Sequence, residues 1–344
     1  MKVLVTGSEG YLGSLVAPYL MNAGFEVKGL DSGFYRDGLL FHTNLASPHT
    51  LYKDIRKVDE DDLSGMDAVV HMAELSNDPL GQLAPNITYD INHKGSLHLA
   101  RVAQRAGVRR FVYMSSCSVY GVVEEGVTVN EQSPVNPQTA YAECKVLVED
   151  DLRKMADSSF SPIYMRNATA FGASPRMRFD IVLNNLSGLA WVERRIALTS
   201  DGTPWRPLVH ALDIAKSIRC VLEAPVELVH DQTFNVGDTG HNYTVRQIAE
   251  AVAEVFQGCS LSFGSSGADN RSYRVSFEKI KESLPGFSCE WDVEKGARQL
   301  RRIFECIDMD GQTFHGRPYT RLKQIEHLIR TAQIDPDFYF KSCL

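Results

Sequence analysis

Residues 2–13, Lys-Val-Leu-Val-Thr-Gly-Ser-Glu-Gly-Tyr-Leu-Gly, restrict the fold more than any other stretch. A short apolar run ended by glycine predicts a buried strand over residues 2–6. Helical apolar spacing follows over residues 11–22, with Gly24 as the stop. Gly7, Gly10 and Gly13 therefore fall between a strand and a helix. Glycine there permits a tight turn and close approach of backbone to a pyrophosphate, and the helix N-terminus offers free N–H groups. Elsewhere a glycine-rich turn is only a turn; this strand–helix context is what a dinucleotide site requires.

The next strand, residues 26–30, ends in Asp31. A carboxylate about 20 residues beyond the glycines can accept hydrogen bonds from both ribose hydroxyls and would repel a 2′-phosphate. That favours NAD over NADP, a preference that nearby Arg36 would soften. Strands are expected over residues 51–56, 67–71, 111–115 and 163–167, and a long helix over residues 86–106. This alternation predicts an α/β fold, a doubly wound parallel sheet of Rossmann type with about seven strands. The rhythm then loosens into helices over residues 180–191, 211–223, 245–256, 276–284 and 293–306, with short strands at 232–235 and 261–263. Residues 1–167 thus form the dinucleotide domain, with returning segments around 207–237. Residues 168–206 and 238–305 form a smaller mixed α/β substrate domain, and 306–344 a C-terminal extension, whose Phe338, Tyr339 and Phe340 are expected to pack on the body or on a second subunit.

Composition excludes several classes. A net charge of −7 with scattered basic residues speaks against nucleic-acid binding. Seven cysteines without a CxxC, and ten histidines without an HxxxH, argue against a disulfide framework or a metal site and fit a cytoplasmic, reducing setting. No apolar run reaches the roughly 18 residues that cross a membrane. The first residues, broken early by Gly7, do not read as a signal peptide.

Tyr141 and Lys145 stand four apart in a predicted helix over residues 140–155, so they share one face. An ammonium near a phenol favours the phenolate and lowers its pKa, so such a pair can serve as a general base. Alone the spacing is common, and a surface helix with a half-buried tyrosine explains it better; the other features of the chain decide it.

Taken together, Thr6-Gly7-x-x-Gly10-x-x-Gly13, Asp31, Asp54-Ile55-Arg56, His71-Met72-Ala73, Ser115-Ser116-x-x-Val119-Tyr120-Gly121 and Tyr141-x-x-x-Lys145 resemble the extended short-chain dehydrogenase/reductases, in their nucleotide-sugar epimerase and dehydratase group. The resemblance spans about residues 1–305 and implies a tightly held NAD, bound by Gly7, Gly10, Tyr11, Leu12, Gly13, Asp31, Asp54, Ile55, Ala73, Tyr141 and Lys145. It implies that Tyr141 takes a proton from a sugar hydroxyl, that Lys145 holds the nicotinamide ribose and depresses the tyrosine pKa, and that Ser116 hydrogen-bonds the reacting oxygen. Asn92 is expected to be structural. A nucleotide-diphosphate sugar is the implied substrate, held by Ser116, Thr169, Arg206 and Arg271. Thr169 stands where an asparagine is usual, which leaves the sugar contact open, and Asn184 and Asn185 are further candidates. The implied assembly is a homodimer through the helices at 86–106 and 140–155.

Cys117 and Ser118 replace the acidic pair of dehydratases, which favours an epimerase, most simply at C4, by transient oxidation and return of hydride. The alternatives are a 4,6-dehydratase with Glu74 or Glu124 standing in, or another nucleotide-sugar oxidoreductase or 3,5-epimerase using Cys117 as acid/base. Against that last alternative, the favoured reading of Cys117 is a small buried residue. A non-catalytic NAD-sensing protein is the alternative from another class.

Overall fold

The computed structural model describes residues 1–76, 78–124, 126–265 and 272–341. Seven strands form one parallel sheet: β1 (Lys2–Thr6), β2 (Glu26–Asp31), β3 (His49–Tyr52), β4 (Ala68–His71), β5 (Arg110–Ser116), β6 (Ser161–Asn167) and β7 (Thr233–Val236). Their order is β7-β6-β5-β4-β1-β2-β3. Val3 pairs with both Val27 and Ala68, so β1 is central. Reversal of strand order beside β1 opens a crevice at the carboxyl edge, where Thr6, Asp31, His71 and Ser116 all end their strands.

Alternation along β1 assigns the two faces. Val3 and Val5 enter one core with Val16 and Leu20 of helix α1 (Gly13–Asn22), while Leu4 enters the other with Val69 and Leu99. Burial on both faces explains why β1 and β4 read as unbroken apolar runs. Helix α2 (Ser96–Arg105) and helix α3 (Ala140–Met155) cover the second face. A third core joins Phe171 and Phe179 to helices α4 (Val182–Val192), α5 (Ala211–Glu223, through Ala211), α6 (Val245–Val255) and α7 (Val293–Cys306).

Two expectations need correction. The third strand is His49–Tyr52, not residues 51–56, because Asp54 caps a 3-10 turn at Ile55–Lys57 and accepts from the Arg56 backbone N–H. The long helix before β5 is not uniform. A π-helical stretch at Tyr89–Gly95 precedes α2. That widened turn turns Asn92 inward, where it accepts from the Leu75 N–H at 2.8 Å and donates to the Leu75 carbonyl at 3.0 Å. Helix α6 starts at a capping box formed by Thr244 and Gln247.

The C-terminal extension crosses the molecule. Phe314 packs on Phe179 at 5.0 Å between ring centres, within the third core. Helix α8 (Arg321–Arg330) then carries Ile325 and Leu328 into the core under β1, where Phe338 joins them. Tyr339 lies over the Arg56 guanidinium at 3.8 Å, and Phe340 meets Phe34. The terminal aromatics therefore pack on the body.

Candidate functional site

A cavity of about 1030 Å³ lies along the carboxyl edge of the sheet. Its wall contains Gly7, Gly10, Tyr11, Leu12, Gly13, Asp31, Asp54, Ile55, Ala73, Ser116, Tyr141, Lys145, Thr169 and Arg206. Residues read from separate motifs thus meet in one space. Arg271 lies outside the described residues.

The glycine turn fits a dinucleotide for steric reasons. Gly7 has φ +71°, and a Cβ there would sit 3.1 Å from the Ala73 nitrogen. A Cβ at Gly13 would land on the Gly7 carbonyl oxygen. Thr6 ties this turn to the next strand end, accepting from the Met72 and Ala73 N–H groups at 3.1 and 3.2 Å. Asp31 accepts from the Glu9 N–H at 3.0 Å and the Gly33 N–H at 2.7 Å, which orients its carboxylate. The residues present fit NAD, with backbone approach at the turn and an acid at the end of β2.

Thr139 caps α3 and accepts from the Ala142 N–H. Tyr141, Lys145 and Glu149 then recur every four residues on one face. Glu149 anchors that face by a buried ion pair with Arg166, at 2.6 Å, and accepts from the Ser115 hydroxyl. Lys145 is held by the Met114 carbonyl and by an ion pair with Glu74 at 2.6 Å, the two side chains being 4 % and 3 % exposed. Tyr113 donates its hydroxyl to Glu74 at 2.8 Å. The Lys145 ammonium stands 5.3 Å from the Tyr141 ring centre. Burial opposes its charge, but Glu74 holds its pKa above the ordinary lysine value.

This pairing corrects the expected electrostatics. Burial pushes the Tyr141 phenol above its ordinary value; Lys145 pulls it down, and Glu74 pushes it up again. The lysine alone does not set the phenol, because the Glu74 carboxylate in direct contact with Lys145 at 2.6 Å offsets part of the ammonium's charge. Glu74, which the sequence offered as a stand-in dehydratase acid, is committed by the fold to Lys145.

Ser116 caps the 3-10 turn Cys117–Tyr120 and accepts from the Ser118 N–H at 3.1 Å. Ser118 also lines the cavity, and its hydroxyl has no partner among the described residues. Cys117 turns the other way. It is 1 % exposed, sits in the core, and donates its thiol to the Arg166 carbonyl at 3.2 Å. Burial pushes that thiol well up. The geometry supports the packing reading of Cys117 over the acid/base one. Glu124 is exposed and lies outside the cavity.

Arg206 reaches the cavity from the strand Trp205–His210 and donates to the Trp205 carbonyl. Asn184 is structural: it accepts from the Gly172 N–H at 3.0 Å and donates to the Arg178 carbonyl at 3.1 Å and to the Tyr11 hydroxyl. Asn185 lines the cavity. Sequence reasoning missed Arg178 and Arg321, which also face it. Neither belongs to a spaced motif, and no local signal marks them. Among the described residues no group of acids, histidines and cysteines could hold a metal, and no helix is long and apolar enough to cross a membrane.

Comparison with known proteins agrees with this geometry. The chain is 27% identical over 280 residues to UDP-glucose 4-epimerase of Bacillus subtilis, covering 74% of this chain and 82% of that protein. It is 30% identical over 285 residues to UDP-glucose 4-epimerase 4 of Oryza sativa, covering 74% and 76%. Its fold is similar to the UDP-glucose 4-epimerase structure from Thermotoga maritima, with TM-score 0.76 and 20% identity over 90% of this chain and 100% of that one. It is also similar to an NAD dependent NDP-hexosamine 5,6-dehydratase, TunA, with TM-score 0.78 and 21% identity over 90% and 99%. The family model of NAD dependent epimerases and dehydratases matches residues 3–237. With its glycine turn, Asp31 and Tyr141–Lys145 pair lining one cavity, the chain belongs to the NAD dependent epimerase/dehydratase family.

Proposed function

We propose that this enzyme epimerises C4 of a nucleotide-diphosphate sugar, with a UDP-sugar as its substrate. One observation carries the choice among family reactions: Ser116, Tyr141 and Lys145 share the cavity, while the two positions after Ser116 present a core cysteine and a serine hydroxyl. Elimination of water needs an acid and a base near the sugar. Of the acids that could stand in, Glu74 is tied to Lys145 and Tyr113, and Glu124 is exposed outside the cavity. The UDP-glucose 4-epimerases of Bacillus subtilis and Oryza sativa support the same reading.

NAD, which Gly7, Gly10, Gly13 and Asp31 would hold, would supply reversible hydride acceptance, so that no external oxidant would be needed. The protein supplies the proton chemistry. Tyr141 takes the proton of the sugar hydroxyl and gives it back to that same oxygen once the keto-sugar has rotated to present its other face. Ser116, fixed by the Ser118 N–H, hydrogen-bonds the same oxygen. Lys145 supplies the positive charge beside the phenol. Arg206 and Arg271 are assigned to the diphosphate, whose oxygens suit guanidinium forks. Thr169, at the start of the strand Thr169–Phe171, lines the cavity and is assigned to the sugar.

The same reading includes a homodimer through α2 and α3, on whose surface Leu147 is exposed, and a cytoplasmic setting, supported by six free cysteines among the described residues. Incubating the protein with UDP-glucose and following the sugar by mass and NMR tests the reaction. A C4-inverted sugar of unchanged mass is expected. Loss of one water would assign a dehydratase instead, and no turnover of any nucleotide sugar would assign a sensor.

A further inference from the structure

Arg321 opens α8 in the C-terminal extension, far along the chain from every motif of the site. It is 4 % exposed and lines the cavity. Its guanidinium lies over the Tyr35 ring at 3.9 Å. Among the described residues it makes no hydrogen bond and no ion pair. Five N–H donors are thus left to whatever fills the space.

Asp180 and Asp31 act on it through space, without an ion-pair contact among the described residues. Arg178, the neighbouring guanidinium, is clamped by both oxygens of Asp180 at 2.9 and 3.0 Å. Asp31 already accepts two backbone N–H groups. Burial, and then repulsion from Arg178, brings the Arg321 pKa down to about 10. A buried cation without a counter-ion is unfavourable, yet the fold locks this one in place. Ile325 and Leu328 of the same helix are core residues, and Gln324 donates to the Phe34 carbonyl at 2.9 Å. Such a site is built for an anion.

Its position names the anion. Arg321 is close enough to act on the charges of Asp31, Tyr11 and Asp180. It lines the same cavity as the acid assigned to the adenosine ribose and as Gly10 and Gly13 at the start of α1, where backbone N–H groups suit phosphates. We infer that Arg321 binds the pyrophosphate of the dinucleotide, so that the C-terminal extension completes the site that the glycine turn begins. This inference rests on NAD occupying the cavity. Helix α8 then adds a cofactor ligand to the packing role of the extension.

The test compares the full chain, freed of nucleotide, with Arg321→Gln, by calorimetric titration with NAD, NADP, ADP-ribose and adenosine. The variant is expected to lose affinity for NAD and ADP-ribose by about tenfold or more, as for hydrogen bonds to charged groups, with adenosine binding unchanged. Its melting temperature without ligand should hold or rise, because an uncompensated cation is gone, while the rise caused by NAD shrinks. Equal losses for adenosine and ADP-ribose, or a lower melting temperature with ADP-ribose affinity intact, would assign Arg321 to packing and overturn the inference. A loss confined to NADP would place a 2′-phosphate there and also overturn it. Failure of the unaltered protein to bind NAD and ADP-ribose would refute the NAD reading itself, which is a distinguishable result.

Discussion

Lys145 and Arg321 are both buried cations in one cavity, and their surroundings differ in kind. Lys145 has a carboxylate at 2.6 Å and a backbone carbonyl. Arg321 has an aromatic face and no counter-ion among the described residues. A paired cation is held in position and its field is partly cancelled; an unpaired one keeps its field for a ligand. The difference separates two tasks. Beside Tyr141 the protein tunes a proton transfer, where too strong a positive field would stabilise the phenolate and weaken its return of the proton. Beside Asp31 it has only to hold a charged group.

The largest effect is expected at the proton-transfer end. Tyr141→Phe removes the only atom of that side chain that can exchange a proton, and should lower turnover by a factor of about 100 or more. Affinity for NAD, measured by titration, should stay near that of the unaltered enzyme. Near-normal turnover in this variant would sink the proposed mechanism and leave the two cations with no functional contrast to explain.

Glu74→Gln makes Lys145 resemble Arg321 by removing its counter-ion. Glu74 raises the Tyr141 pKa, so its neutralisation lowers it. A general base works once deprotonated, so kcat/KM rises with pH through that pKa. The rising limb should therefore move to lower pH, by about one unit, and activity on the acid side should increase up to about tenfold. Glutamine can still accept the Tyr113 hydroxyl, so the loop at residues 73–75 should remain in place. A limb that stays where it was, or moves to higher pH, would show that Glu74 does not offset the lysine.

The two cations also differ in how readily the sequence announces them. Lys145 is legible because Tyr141, Lys145 and the helix that aligns them lie within one contiguous stretch. The same holds for the glycine turn, for Asp31 at its strand end, and for helices such as α5 and α7, whose limits match their apolar spacing. Arg321 and Arg178 are brought to the cavity by tertiary packing alone, and nothing in their neighbours marks them. Glu74 was visible as a candidate acid, but its partner was not, because the contact joins residues 71 apart across a buried surface. The π-helical stretch at Tyr89–Gly95 was hidden for a similar reason: it answers to the Leu75 backbone, which Asn92 satisfies.

Cys117 marks the lower limit of the contrast, a titratable group whose chemistry burial suppresses. The sequence offered it as an acid/base beside Ser116 or as a core filler. Its thiol donates to the Arg166 carbonyl away from the cavity. Cys117→Ser keeps a donor for that carbonyl and changes volume little, so turnover should stay within about twofold and stability should fall by no more than about 1 kcal/mol. During turnover in deuterated water, the sugar carbons should acquire no deuterium, since hydride return does not exchange with solvent. Deuterium at C3 or C5, lost in Cys117→Ser, would mean that the thiol reaches the substrate after all. Tyr141 would then share its role with a group that this structure places in the core.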